Sequence, residues 1–190
     1  MDQKKALQIV KPHLTEHRYT HTVGVMNTAI ELAERFQADK KKAELAAIFH
    51  DYAKFRDKQE MCALVESSIE DKTILGYGDE LLHAPCGAYY VEHEVGIKDE
   101  EVLNAIRYHT TGRPNMTLLE KVIFLADYIE PGRQFKGVDE VRKLSETNLD
   151  EAVIQALDNT VSFLMKRRQL VYPETIATYN ELVVKQKKEK

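Results

Sequence analysis

Cysteine is scarce in this chain. Only Cys62 and Cys86 occur among 190 residues, and they lie well apart. That excludes a disulfide framework or a zinc ribbon built on paired cysteines. Reduced thiols in a cytoplasmic protein are the expectation. Long apolar runs are lacking as well. The opening stretch MDQKKALQIVKPHL carries no signal-peptide core, and no segment approaches bilayer-spanning length. No membrane partner is expected. There is no excess of basic residues: the net charge is −4, against a dedicated nucleic-acid binder. An anionic small molecule stays admissible, because local charge matters more than net charge. Alternating strand patterns and hairpin turn pairs are also missing.

What is present is helical periodicity. The composition, 43% hydrophobic and 31% charged, is that of a globular chain long enough to bury a core. Tyr19, Val23, Met26, Ile30, Ala33 and Phe36 form a stripe at three- and four-residue steps, with Thr15 as its cap. Asp39 caps a second helix running to Phe49 and His50. Asp79 is placed at the start of a third, to about Val95, stopped by Gly96. Further helices are predicted over 99–110, 118–129, roughly 138–147, 150–168 and from Pro173. Gly and Pro fall at helix ends and form no linker. The expectation is an all-α fold and one domain over 1–190, with a core of about 16–130 and C-terminal helices over about 138–186. The KQKKEK tail reads as a frayed, solvated helix end.

Several ionisable residues interrupt apolar stretches. His50-Asp51 directly follows Ala46-Ala47-Ile48-Phe49, and Asp127 sits behind Val122-Ile123-Phe124-Leu125-Ala126. A charged group in such a place is costly without a partner, and a metal is a frequent one. His21 lies mid-helix, His83 near the start of the third helix and His109 at the end of the fourth. Segments spread over half the chain each bring one imidazole or carboxylate to an apolar wall, as helical proteins do when they build a metal site between facing helices. These donors suit first-row divalent metals. Six candidates, His21, His50, Asp51, His83, His109 and Asp127, suit two ions about 4 Å apart with Asp51 as the bridge. His13, His17 and His93 are read as ordinary histidines, and Cys86 as packing.

The ordered set His, His-Asp, His, His, Asp resembles the HD superfamily of metal-dependent phosphohydrolases. The segments RYTHTVGV (18–25), FHDYAK (49–54), HAPCGA (83–88), HTTGRP (109–114) and ADYIEPGR (126–133) resemble one bacterial branch, the YqeK type. That branch cleaves diadenosine tetraphosphate symmetrically. The resemblance runs from about residue 5 to 185. It implies that His21, His50, Asp51 and Asp127 hold one metal, and Asp51, His83 and His109 the second. It also implies iron as the native metal, which donor chemistry alone does not separate from manganese, cobalt or nickel. Arg18 and Lys54 stand three residues from His21 and Asp51, on the same helical faces. With Thr110, Arg113 and Arg133 they are expected to bind phosphate.

The activity this implies is attack of a metal-bridging hydroxide on a phosphorus, giving two ADP. Asp51, Lys54 and Arg133 are expected to be catalytic, and no protein nucleophile is nominated. The expected partner is a small nucleotide, and a homodimer is compatible with the sequence. Rival readings are another HD nucleotide phosphohydrolase acting on deoxynucleotides or nucleoside monophosphates, a catalytically silent nucleotide-binding regulator, and a di-iron oxygenase. Tyr52, Tyr108 and Tyr128 are read as core packing.

Overall fold

The computed structural model describes residues 1–189; Lys190, the last residue of the charged tail, lies outside them. Among the described residues there are ten α-helices and no strand, as the periodicity predicts. They are α1 (Gln3–Val10), α2 (Glu16–Phe36), α3 (Lys40–Phe49), α4 (Lys58–Ser68), α5 (His83–Tyr90), α6 (Glu100–Arg107), α7 (Leu118–Ile129), α8 (Val138–Leu144), α9 (Leu149–Lys166) and α10 (Pro173–Glu189). None is long and apolar enough to cross a membrane.

The helix starts follow side-chain chemistry. Thr15 accepts from the Arg18 N–H, Asp39 from Lys41 and Lys42, Asp99 from Glu101 and Val102, and Thr117 from Glu120. Each satisfies amides that a first turn leaves without a partner.

Three expectations need correction. Asp79 does not open a long helix: Asp79–Leu81 is a separate 3₁₀ turn after Gly78, whose φ is 114°. The helix begins at His83, and residues 91–95 widen into a π turn that Gly96 ends in the left-handed conformation. α9 runs over Leu149–Lys166 behind the cap Asn148, where the periodicity predicts 150–168. Helices α1 and α4 were not foreseen at all.

The core is continuous. α2 packs on α3 and α7, α3 on α6, α5 on α6, and α7 on both α6 and α9. Phe49, Ile48, Leu103, Ile106, Ile123 and Leu125 are fully buried between them. α7 buries Leu119, Val122, Ile123, Phe124, Leu125, Ala126 and Ile129, which suits a central position. This arrangement brings the middle of α2 and the ends of α3, α6 and α7 to one place, with the first turn of α5 beside them.

Candidate metal centre

All six predicted ligands meet there. His21 comes from the middle of α2. His50 and Asp51 follow the last turn of α3. His83 is the first residue of α5, His109 lies two residues beyond α6, and Asp127 is in the last turn of α7. His50, His83, His109 and Asp51 are buried; the Asp127 side chain is 19% exposed and marks the open side.

The rings are oriented from behind. His50 donates from Nδ1 to the Ala47 carbonyl, His83 to that of Glu80 and His109 to that of Ile106, each at 2.7 Å. Each acceptor is three residues back, where a helix end or tight turn leaves a carbonyl free. A carbonyl only accepts, so each Nδ1 carries the proton and each Nε2 presents a lone pair. His21 uses another acceptor. Its Nδ1 donates to Glu130 Oε1 at 3.0 Å, and Glu130 is buried. The Gly132 amide holds the other Glu130 oxygen at 2.6 Å.

The four Nε2 atoms converge on the carboxylates in two groups. Asp51 Oδ2 lies 3.2 Å from His50 Nε2 and 3.8 Å from His21 Nε2, and His21 Nε2 lies 3.0 Å from Asp127 Oδ1. Asp51 Oδ1 faces the other way, 3.2 Å from His83 Nε2 and 4.0 Å from His109 Nε2. His83 and His109 present their Nε2 atoms to one another at 3.1 Å. Lone pairs this close repel unless a cation stands among them. The Nε2 atoms of His21 and His50 are buried with no hydrogen-bond partner. Two triads, His21–His50–Asp127 and His50–Asp51–His109, each bring one donor atom apiece within 4.8 Å of one another. The donor set therefore fits divalent metal, and the two faces of Asp51 fit a pair of ions.

Charge is arranged to match. Burial first, and then the neighbouring His50 and His83, push His109 down to about 3, so it stays neutral and ready to ligate. Burial opposes the charged form of Asp51, but His50 and then His83 override it and hold its carboxyl well below the usual range. Burial likewise opposes a charged His50, and Asp51 outweighs it, leaving that imidazole's pKa raised.

Most of the expected phosphate contacts stand around this centre. Arg18 Nη1 lies 2.9 Å from Asp51 Oδ2. Arg133 reaches Asp127 Oδ1 at 2.5 Å and donates to the Asp127 carbonyl at 2.9 Å. Lys54 Nζ donates to Glu80 at 3.0 Å and is 3.5 Å from His83 Nδ1. Thr110 follows His109, its hydroxyl buried without a partner. Arg113 is the departure. It makes a two-pronged contact with buried Glu120, at 3.0 and 2.7 Å, and packs over the Tyr108 ring, with no hydrogen bond to any of the six ligands.

Glu130 is the residue that sequence reasoning missed. Its signal is the surrounding glycine: a Cβ on Gly24 would meet Glu130 Oε2 at 2.6 Å, and one on Gly132 would meet Oε1 at 2.9 Å. The backbone closes on this carboxylate from both sides.

Comparison with known proteins agrees with the geometry. The HD domain family model matches residues 18–132, which spans all six candidate ligands. A protein of Halalkalibacterium halodurans named symmetrical bis(5′-nucleosyl)-tetraphosphatase is 66% identical, covering 98% of this chain and 100% of its own. One of the same name from Bacillus subtilis is 63% identical over 96% and 98%. A crystal structure from Clostridium acetobutylicum, described as a "predicted HD superfamily hydrolase involved in NAD metabolism", superposes with a TM-score of 0.90 at 40% identity, over 97% of this chain and 98% of that one. The chain belongs to the HD-domain family, in the group that contains these symmetrical tetraphosphatases.

Proposed function

We propose that this protein is a metal-dependent hydrolase that cleaves diadenosine tetraphosphate symmetrically to two ADP. The observation that carries the reading is Asp51: its two carboxylate oxygens face two separate imidazole groups. His21, His50, Asp51 and Asp127 would hold one ion, and Asp51, His83 and His109 the other. Iron is the metal we assign, within a donor set that also suits manganese, cobalt and nickel. When bound, such a pair makes water nucleophilic near neutral pH and polarises phosphoryl oxygens.

The protein's own part is placement and charge. Arg18 and Arg133 each neutralise a ligand carboxylate, so both guanidiniums stand within reach of an anion over the centre. Lys54 stands at the His83 end and Arg133 at the Asp127 end. They offset charge on the phosphate that is attacked and on the one that leaves. The Thr110 hydroxyl, next in the chain to His109 and without a partner, would supply a neutral donor. Glu130 acts through His21, fixing its ring and raising its basicity as a ligand. Hydrolysis consumes one water. A new P–O bond forms at an inner phosphorus, the central P–O–P bridge breaks, and the departing oxygen ends on the second ADP.

Product analysis tests this. Metal-free protein reconstituted with ferrous iron under reducing conditions is given diadenosine tetraphosphate, and the products are resolved by ion exchange. ADP alone is expected. ATP plus AMP would move the attack to an outer phosphorus, and no turnover would overturn the hydrolase reading for this substrate.

A further inference from the structure

Residues 127–133 carry three side chains of the centre: Asp127 itself, Glu130 behind His21, and Arg133 on Asp127. The backbone that presents them has left its helix. Pro131 disfavours helical backbone at Glu130, whose ψ is 151°, so α7 stops at Ile129. The Arg133 amide, which a continuing helix would give to Ile129, goes to the Glu130 carbonyl at 2.9 Å. The Ile129 carbonyl thus loses its helical partner, on a residue that is buried. Such a carbonyl needs another donor.

Arg142 supplies it. Its Nε donates to the Ile129 carbonyl at 2.9 Å, and its Nη2 to the carbonyls of Glu130 at 2.9 Å and Arg133 at 2.8 Å. Nη1 donates to Asp139 at 2.7 Å, which turns the guanidinium toward the loop. A cation at the end of α7 also suits the helix dipole. Arg142 is itself fixed through α8. Val138 and Val141 are buried, and Gly137, with φ 94°, lies so close to Asn159 of α9 that a Cβ there would meet its Nδ2 at 2.9 Å. The Ser145 hydroxyl donates to the Arg142 carbonyl at 2.6 Å, and Arg35 of α2 donates to the Ser145 carbonyl at 3.0 Å. The contacts close a ring: α2 to α8, α8 through Arg142 to the loop, and the loop through Glu130 back to His21 on α2.

We propose that Arg142 is a positioning residue of the metal centre, acting through Glu130 and Arg133 and touching neither metal nor substrate. Its fork sets the backbone from which both side chains spring, so it aims the carboxylate that orients His21 and the guanidinium that meets phosphate. The effect on turnover rests on the hydrolase reading; the effect on metal binding does not. The Arg142 side chain is 31% exposed, so little core packing goes with it.

Arg142→Lys keeps the positive charge but cannot fork to three carbonyls. At saturating ferrous iron it is expected to lower kcat for diadenosine tetraphosphate by on the order of 10- to 100-fold, the scale of a misplaced charge. Iron affinity, read by chelator competition, is expected to fall about tenfold, with helix content unchanged by circular dichroism. Two double-mutant cycles separate positioning from general loosening. Added to Arg133→Met, Arg142→Lys is expected to cost less than about twofold further in kcat. Added to Glu130→Gln, it is expected to cost less than about twofold further in iron affinity. Full additivity in both cycles overturns the positioning role, and so do wild-type kcat and iron affinity in Arg142→Lys alone. Arg142→Gln, uncharged and of similar reach, gives the same two cycles where the lysine variant does not fold. Wild-type protein that leaves the dinucleotide uncut overturns the hydrolase reading, and the iron cycle then supports or overturns Arg142 by itself.

Discussion

His21 differs from the other three imidazoles in what holds its far nitrogen. Three rings lean on backbone carbonyls, and His21 leans on the Glu130 carboxylate. A carboxylate behind a ligating ring makes it a stronger donor, and losing such a partner typically weakens metal binding by about 10- to 100-fold. Glu130→Gln is therefore expected to lower metal affinity by that factor, read by chelator competition, with helix content unchanged by circular dichroism. Unchanged affinity would show that Glu130 is only packing. The convergence of the six candidate ligands was legible in sequence because each stands against an apolar run or inside a helix that must be buried. Glu130 was not, because an acid between a helix end and Pro131-Gly132 looks like an ordinary cap. Its partner is 109 residues away, and no local pattern joins the two. Arg113, expected at phosphate from its position just past His109, pairs with Glu120 in the first turn of α7, a contact no local pattern announces.

Helix ends carry most of the site. His50, His109 and Asp127 sit in or just past the last turns of α3, α6 and α7, and His83 opens α5. The helix-end carbonyls that orient the rings exist because a helix must stop there. The capping residues that fix helix register were readable, and so α2, α3, α6 and α7 were placed correctly. The weaker elements were not. α1 is eight residues long with only Ala6 and Val10 buried, and α4 buries only Met61 and Val65, so neither has a stripe to read. α5 was merged with the turns on either side, because a period alone does not separate 3₁₀, α and π geometry. Thr117 illustrates the energetic weight of an end. Thr117→Ala removes the acceptor for the Glu120 amide at the start of α7, at a cost of about 1 kcal/mol. For a chain of this size a Tm lower by about 2–4 °C is expected in calorimetry. No change would mean that water or a neighbouring group caps α7 equally well.

At the scale of the whole molecule, burial both builds the centre and sets its pH response. Metal must displace any proton on a ligand ring. His109, held at about 3 chiefly by burial, carries no proton on its ligating Nε2 near neutrality. His50 has a raised pKa, so its ring takes a proton as pH falls through that value and then competes with metal. Affinity is expected to be flat above that point and to fall about tenfold per pH unit below it, the slope of one competing proton. Chelator competition at a series of pH values reads the slope, and an affinity that rises on acidification would contradict the assignment of His50.

The most direct test of the account is a count of metal ions per chain, made alongside activity. Iron is titrated into metal-free protein anaerobically, bound metal is quantified by plasma mass spectrometry, and turnover is followed at each step. Two ions per chain are predicted, with activity appearing as the second binds and with Asp51→Asn losing both the second ion and turnover. Full activity at one ion per chain, or two ions retained by Asp51→Asn with turnover intact, would contradict an Asp51-bridged pair.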